Sequence, residues 1–150
     1  MLDAGQKAQP LPEFARLPSD LKQAAIDGYE KRKQFVGMCN RAGVRIVAGT
    51  DGAGLGTMLP GFGLQHELQL LVESGLTPLQ AIQAATINAA AALRKEHDLG
   101  GVEPGYFADI VILEADPLKD ISNTQKLDLV IDGGKSYKPT ELLKAKDNSQ

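Results

Sequence analysis

The chain has 150 residues, 43% of them hydrophobic and 23% charged, with a formal net charge of -3. That composition belongs to a globular domain and sets aside intrinsic disorder. The acidic balance, with no run of Lys and Arg, sets aside nucleic acid as a partner. The single cysteine, Cys39, excludes an internal disulfide and a cysteine-based zinc knuckle, and no apolar run approaches the ~20 residues of a membrane span. Met1-Leu2-Asp3-Ala4-Gly5 lacks the basic start and apolar stretch of a signal peptide, so the compartment is open, with the cytoplasm as the default expectation.

Residues 1–18 carry Pro10, Pro12 and Pro18 without a clear period and read as an irregular lead-in. Ser19 is placed to cap a helix, with Asp20 in its first turn where a carboxylate suits the helix dipole. Leu21, Ala25, Gly28, Phe35 and Cys39 fall near one face of this helix, and Gly43 supplies the stop. Cys39, in an apolar stretch, reads as an inert thiol. A short apolar run, Val44–Ala48, then predicts a buried parallel strand that delivers Asp51 to a loop. In layered α/β folds, reacting groups collect at the carboxyl ends of such strands.

The loop from Gly49 to Gly63 is rich in glycine and can bring backbone close to a small ligand. The next helix carries Leu64, Leu68, Leu71 and Val72 as its apolar stripe, with His66, Gln69 and Glu73 facing elsewhere and Gly75 at the end. Thr77-Pro78-Leu79-Gln80 predicts a helix start with a capping box. One alanine-rich helix is expected to run from Leu79 through Leu93, packing closely on another element. After His97 the pattern becomes extended, with strands predicted at Val102, Asp109–Leu113 and Leu127–Ile131. Asp132-Gly133-Gly134 makes a hairpin turn into Lys135-Ser136-Tyr137. Pro139 to Gln150 reads as a polar tail with a short terminal helix.

Asp51 is the leading chemical group, either as a metal ligand or general base, or as a turn-capping aspartate, since Asp-Gly is ordinary turn chemistry. His66 and His97 are the only histidines, and neither lies in a His-x-His or His-Glu-x-x-His spacing. His66 stands on a helix near the Asp51 loop, where it could line a substrate pocket or serve as a surface residue. His97 sits in a charged stretch. Gly49, Gly52, Gly54 and Gly56 lack both the Walker A ending and the Gly-x-Gly-x-x-Gly spacing, which argues against a nucleotide loop.

Taken in order, Gly43–Asp51, His66-Glu67-Leu68, Gly75–Pro78, Ala84–Ala90, Gly101–Val111 and Asp132–Lys135 resemble the C-terminal part of the metal-dependent amidohydrolase superfamily, in its imidazolonepropionase-like and dipeptidase-like branch. The resemblance implies an α/β fold: the C-terminal fragment of a (β/α)8 TIM barrel, with its last strand at Val44–Ala48 and its closing helices at Leu64 to Leu93, plus the C-terminal strands of a small β-sandwich. Residues 1–98 are then the barrel part, 99–138 the sandwich segment and 139–150 the tail. It implies that Asp51 contacts a divalent metal, zinc first, and shuttles the proton while a carbon–nitrogen bond of an amide or cyclic amide is hydrolysed. The family's His-x-His and later histidines are absent from this sequence, so the chain reads as a fragment that is inactive alone. Two copies would supply two Asp51 groups and still no His-x-His. A separate chain completing the barrel is the alternative expectation, with a small-molecule amide as the substrate of the whole and a homo-oligomer as the other assembly considered.

Overall fold

A computed structural model of the chain describes residues 15–51 and 62–144. In chain order the elements are α1 (Ser19–Arg41), α2 (Phe62–Glu73), α3 (Pro78–Ala85), α4 (Ile87–Ala92), β1 (Ile110–Leu113), a 3-10 turn (Ile121–Gln125), β2 (Leu127–Asp132), β3 (Lys135–Tyr137) and α5 (Pro139–Lys144). Residues 1–14 of the lead-in expected at 1–18, residues 52–61 of the loop expected at 49–63 and residues 145–150 of the expected tail lie outside the described residues.

Helix α1 begins one residue earlier than the sequence suggested. Pro18 is the N-cap, its carbonyl accepting from the Lys22 N–H at 3.0 Å, and Ser19 is already helical. Proline's fixed φ, here -53°, presets that entry, and no side chain caps the helix. The apolar face expected of α1 finds little to cover it. Leu21, Ile26, Phe35 and Met38 are all exposed, Phe35 at 64%. The helix is held instead near its C-terminal end, where Gly37 is buried against the end of α2. A Cβ there would collide with the Ser74 carbonyl oxygen. Lys33 adds a tie between helices, 2.9 Å from Glu30 and 3.6 Å from Glu73. Both carboxylates are about half exposed, so the tie contributes little.

The core is small. Leu68 and Leu71 of α2 lie 5% exposed beside Leu76, Ala81, Ala84 and Ile121, with Val36, Ile46, Ala48, Val72, Ile82 and Ala85 packed around them. The alanines let α3 approach α2 closely, as their run predicted. Thr77 and Gln80 form the expected capping box: Gln80 N–H donates to Thr77 Oγ1 at 3.2 Å and Thr77 N–H to Gln80 Oε1 at 2.8 Å.

The single helix expected over 79–93 is two. The ladder breaks at Thr86, whose backbone turns out of the helical region at φ -122°, ψ -97°. Its hydroxyl donates back to the Ile82 carbonyl at 2.8 Å, a local bond that competes with the regular ladder. Gly100 presses against the same junction, where a Cβ would lie 2.8 Å from Ile87 Cα.

The sheet is antiparallel in the order β1-β2-β3. Ile110, Val111 and Ile112 face Ile131, Val130 and Leu129. A bulge then moves Leu113 opposite Leu127. Gly133 and Gly134, at φ 54° and 79°, make the two-residue hairpin loop between Asp132 and Lys135. Val102 is no strand: it is 79% exposed in the bends that follow α4. Among the described residues no helix is long and apolar enough to cross a membrane.

Asp120 caps the 3-10 turn by accepting the Ser122 N–H at 2.9 Å. Bonds from the Ser122 side chain and then its backbone hold the Asp120 carboxyl below the ordinary carboxylate range. The unfolded carboxyl titrates near ~3.9. Stability from this cap is therefore complete above that value and lost as pH falls through the lower folded one. The difference in Tm between wild type and Asp120→Ala should be constant above about pH 5 and shrink below about pH 4.

Candidate functional site

Residues 44–50 follow α1 in an extended course, yet they form no strand. The side chains still alternate as a strand's do: Ile46, Ala48 and Thr50 are half-buried, whereas Arg45, Val47 and Gly49 are exposed. The sequence predicted a buried strand from the apolar run at Val44–Ala48. A strand also needs a neighbour to bond, and none of the described residues supplies a ladder. Val44 and Val47 are consequently 53% and 43% exposed.

What fixes the segment is a set of bonds to helices. The Val44 N–H donates to the Cys39 carbonyl and the Ala48 N–H to the Ala84 carbonyl, both at 3.0 Å. Asn88 Nδ2 donates to the Ile46 carbonyl at 2.9 Å. Between α1 and α3, Asn40 Nδ2 reaches Gln80 Oε1 at 3.4 Å. Inward-facing Ile46 and Ala48 complete the anchoring by packing on the core.

The segment ends on Asp51, exposed and in the left-handed region at φ 47°. Aspartate tolerates this conformation better than most residues because its short side chain can bond locally. Asp51 therefore stands at an extended segment's carboxyl end, facing solvent, where the sequence placed it. His66 is half-buried near the start of α2. No hydrogen bond or ion pair joins Asp51 to His66 among the described residues, which leave out the connecting loop at 52–61. His97 is exposed beside the 3.6 Å Lys95–Asp98 pair, in keeping with a solvated stretch.

Asn88 is the residue that sequence reasoning passed over. It lay inside a segment read for its alanines and for the family resemblance, with no role given to the carboxamide. A carboxamide in an alanine run is itself a signal, because asparagine is a poor helix former that competes for backbone groups.

A groove of about 430 Å3 opens elsewhere, between α2, α3 and β1, lined by Leu64, Leu68, Ile82, Phe107 and Val111 among others. Neither Asp51 nor His66 lines it. Its one carboxylate, Asp109, accepts the Gly133 N–H at 2.8 Å and so serves the hairpin. The groove is apolar and carries no arrangement for bond cleavage. Among the described residues no group of three or more His, Cys, Asp and Glu side chains could hold a metal ion.

The Amidohydrolase family profile matches residues 13–136. The chain belongs to the amidohydrolase family. An ochratoxinase of Aspergillus niger is 43% identical over 121 residues, which cover 77% of this chain and 23% of that protein. An adenine deaminase of Clostridium botulinum (strain Loch Maree / Type A3) is 42% identical over 77 residues, covering 51% of this chain and 12% of the deaminase. Among solved structures, A. niger ochratoxinase superposes with TM-score 0.68 at 33% identity over 81% of this chain and 28% of that one. A Xaa-Pro dipeptidase superposes with TM-score 0.64 at 34% identity, over 71% of this chain and 25% of that one. The chain thus spans about a quarter or less of the relatives it matches. Its α/β fold with a small antiparallel sheet matches part of the amidohydrolase superfamily fold, whose barrel those neighbours carry.

Proposed function

We propose that this chain supplies Asp51 as the proton-handling carboxylate of an amidohydrolase that cleaves a carbon–nitrogen bond in a small amide or cyclic amide. The supporting observation is the extended segment 44–51, anchored by helices on one side and ending in an exposed carboxylate. It lies inside the stretch that matches the family. An adenine deaminase and a Xaa-Pro dipeptidase, both relatives, are named for breaking carbon–nitrogen bonds.

In this reading residues 44–51 are the last barrel strand, α2 to α4 are helices that close the barrel, and β1 to β3 are the C-terminal share of a small sandwich. Residues 1–98 form the barrel part, 99–138 the sandwich segment and 139–150 the tail. Asp51 takes a proton from the attacking water and returns it to the leaving amine. Asp51 is an exposed residue. His66 contributes to the wall of the substrate site.

The resemblance implies a divalent metal, zinc first. The described residues do not fit one by themselves, since a lone exposed aspartate is a poor site for an ion that takes three or four protein donors. The remaining donors belong to polypeptide other than residues 1–150, in the same protein or in a second chain. This chain alone is then inactive.

A second reading makes the chain a non-catalytic module that completes a barrel with a separate chain. The uncovered apolar residues Phe35, Met38, Val44 and Val47 favour it. The two readings share a test, zinc binding by the purified chain. The proposal expects weak binding, and the same weak binding in Asp51→Ala. Tight one-to-one binding that Asp51→Ala abolishes would show that the chain holds a complete ligand set, and would overturn the claims that the remaining donors lie elsewhere and that the chain alone is inactive.

A further inference from the structure

Two bonds on one edge of residues 44–51 have a joint geometry. The Ile46 carbonyl and the Ala48 N–H belong to residues two apart in an extended chain, so they point to the same side. In a parallel sheet that pair is met by one residue of the neighbouring strand, which donates to the first group and accepts from the second. Here the donor is Asn88 Nδ2, at 2.9 Å, and the acceptor is the Ala84 carbonyl, at 3.0 Å. Since both meet the same edge of residues 46–48, Ala84 and Asn88 sit on one side of the α3–α4 pair.

The break at Thr86 makes the acceptor available. In a continuous helix the Ala84 carbonyl would take the Asn88 N–H. With the ladder interrupted it takes Ala48 instead. We propose that Ala84 and Asn88 act together as a surrogate strand neighbour, and that Asn88 is the positioning residue that keeps the segment carrying Asp51 extended. The role in catalysis rests on the reading of Asp51 given above; the clamp itself does not. The opposite edge stays open, since the N–H groups of Arg45 and Val47 meet no backbone acceptor among the described residues.

The test is amide hydrogen exchange, followed residue by residue in the full chain. Asn88→Ala and Asn88→Leu remove the donor, the second with bulk retained. A hydrogen bond of ordinary strength gives about a fivefold to tenfold faster exchange at Ala48 in both. The amides of β1 and β2 should keep their wild-type rates, which shows that the fold is intact. Asn88→Asp is nearly isosteric and donates only when its carboxyl is protonated. Corrected for intrinsic rates, its Ala48 amide should exchange fast near neutral pH and slow again below about pH 4.

Unchanged exchange at Ala48 in all three variants would overturn the clamp. So would equal acceleration across the sheet in all three, because Asn88 would then hold the whole fold rather than one edge. In an assembled hydrolase, Asn88→Leu should lower kcat with KM within about twofold. Loss of local protection without any effect on kcat would leave the clamp standing and overturn its role in positioning Asp51 for the reaction.

Discussion

Alanine in place of Gly100 should destabilise the chain by about 3 kcal/mol. Two costs combine. Gly100 sits at φ 87°, a conformation that costs an L-residue about 1–2 kcal/mol. Its new Cβ would also stand 2.8 Å from Ile87 Cα and 2.9 Å from both Ile87 N and Thr86 C. Those are backbone atoms that cannot rotate away, and overpacking of this kind costs about 1–3 kcal/mol. Gly105 provides the control. It has φ 97° but nothing within 4 Å of an added methyl, so its alanine variant should bear only the conformational cost. Urea unfolding should show a much lower midpoint for Gly100→Ala than for Gly105→Ala, with unchanged slopes. Equal midpoints would mean that the close approach of Gly100 to the α3–α4 junction is not sustained in solution.

Asp51→Asn is expected to lower kcat by about 100-fold to 10,000-fold in any active hydrolase that contains this chain. The substitution keeps the size of the side chain and removes its ability to take a proton. If the carboxylate acts on the proton in flight rather than on bound substrate, KM should change little. Stability should move by no more than about 0.5 kcal/mol, because Asp51 is exposed and has no side-chain partner among the described residues. A variant with full kcat would return Asp51 to the role of a turn residue. A variant that unfolds would point to a structural bond made by the carboxylate.

Local chemistry made much of this legible from the residues. Thr77, Pro78 and Gln80 determine a helix start among themselves, and Gly133-Gly134 determines a hairpin, because each depends on neighbours in sequence. The apolar pairs of β1 and β2 needed only each other. Val44–Ala48 is different. Its apolar run shows that a strand is suited to the place, while the pairing that defines a strand depends on a neighbour that none of the described residues supplies. The same reason leaves the apolar face of α1 uncovered at Phe35 and Met38. The break at Thr86 escaped periodicity because alanines on either side continue the helical pattern. Only the approach of Gly100, fourteen positions further along, gives the break its structural context. Asp51 was legible as the exposed carboxylate that follows the apolar run at 44–48. Asn88 was not, since its partner is the backbone of Ile46, and a backbone carbonyl has no sequence signature.

The role given to Asp51 is tested most directly by hydrolysis with the purified chain, alone and mixed with the amino-terminal part of an amidohydrolase that carries the His-x-His. Zinc and a panel of dipeptide and cyclic amide substrates would be present throughout. That role predicts no turnover by the chain alone, turnover on mixing, and none on mixing when Asp51→Asn replaces the wild type. Turnover by the chain alone, or turnover on mixing that ignores Asp51, would contradict it.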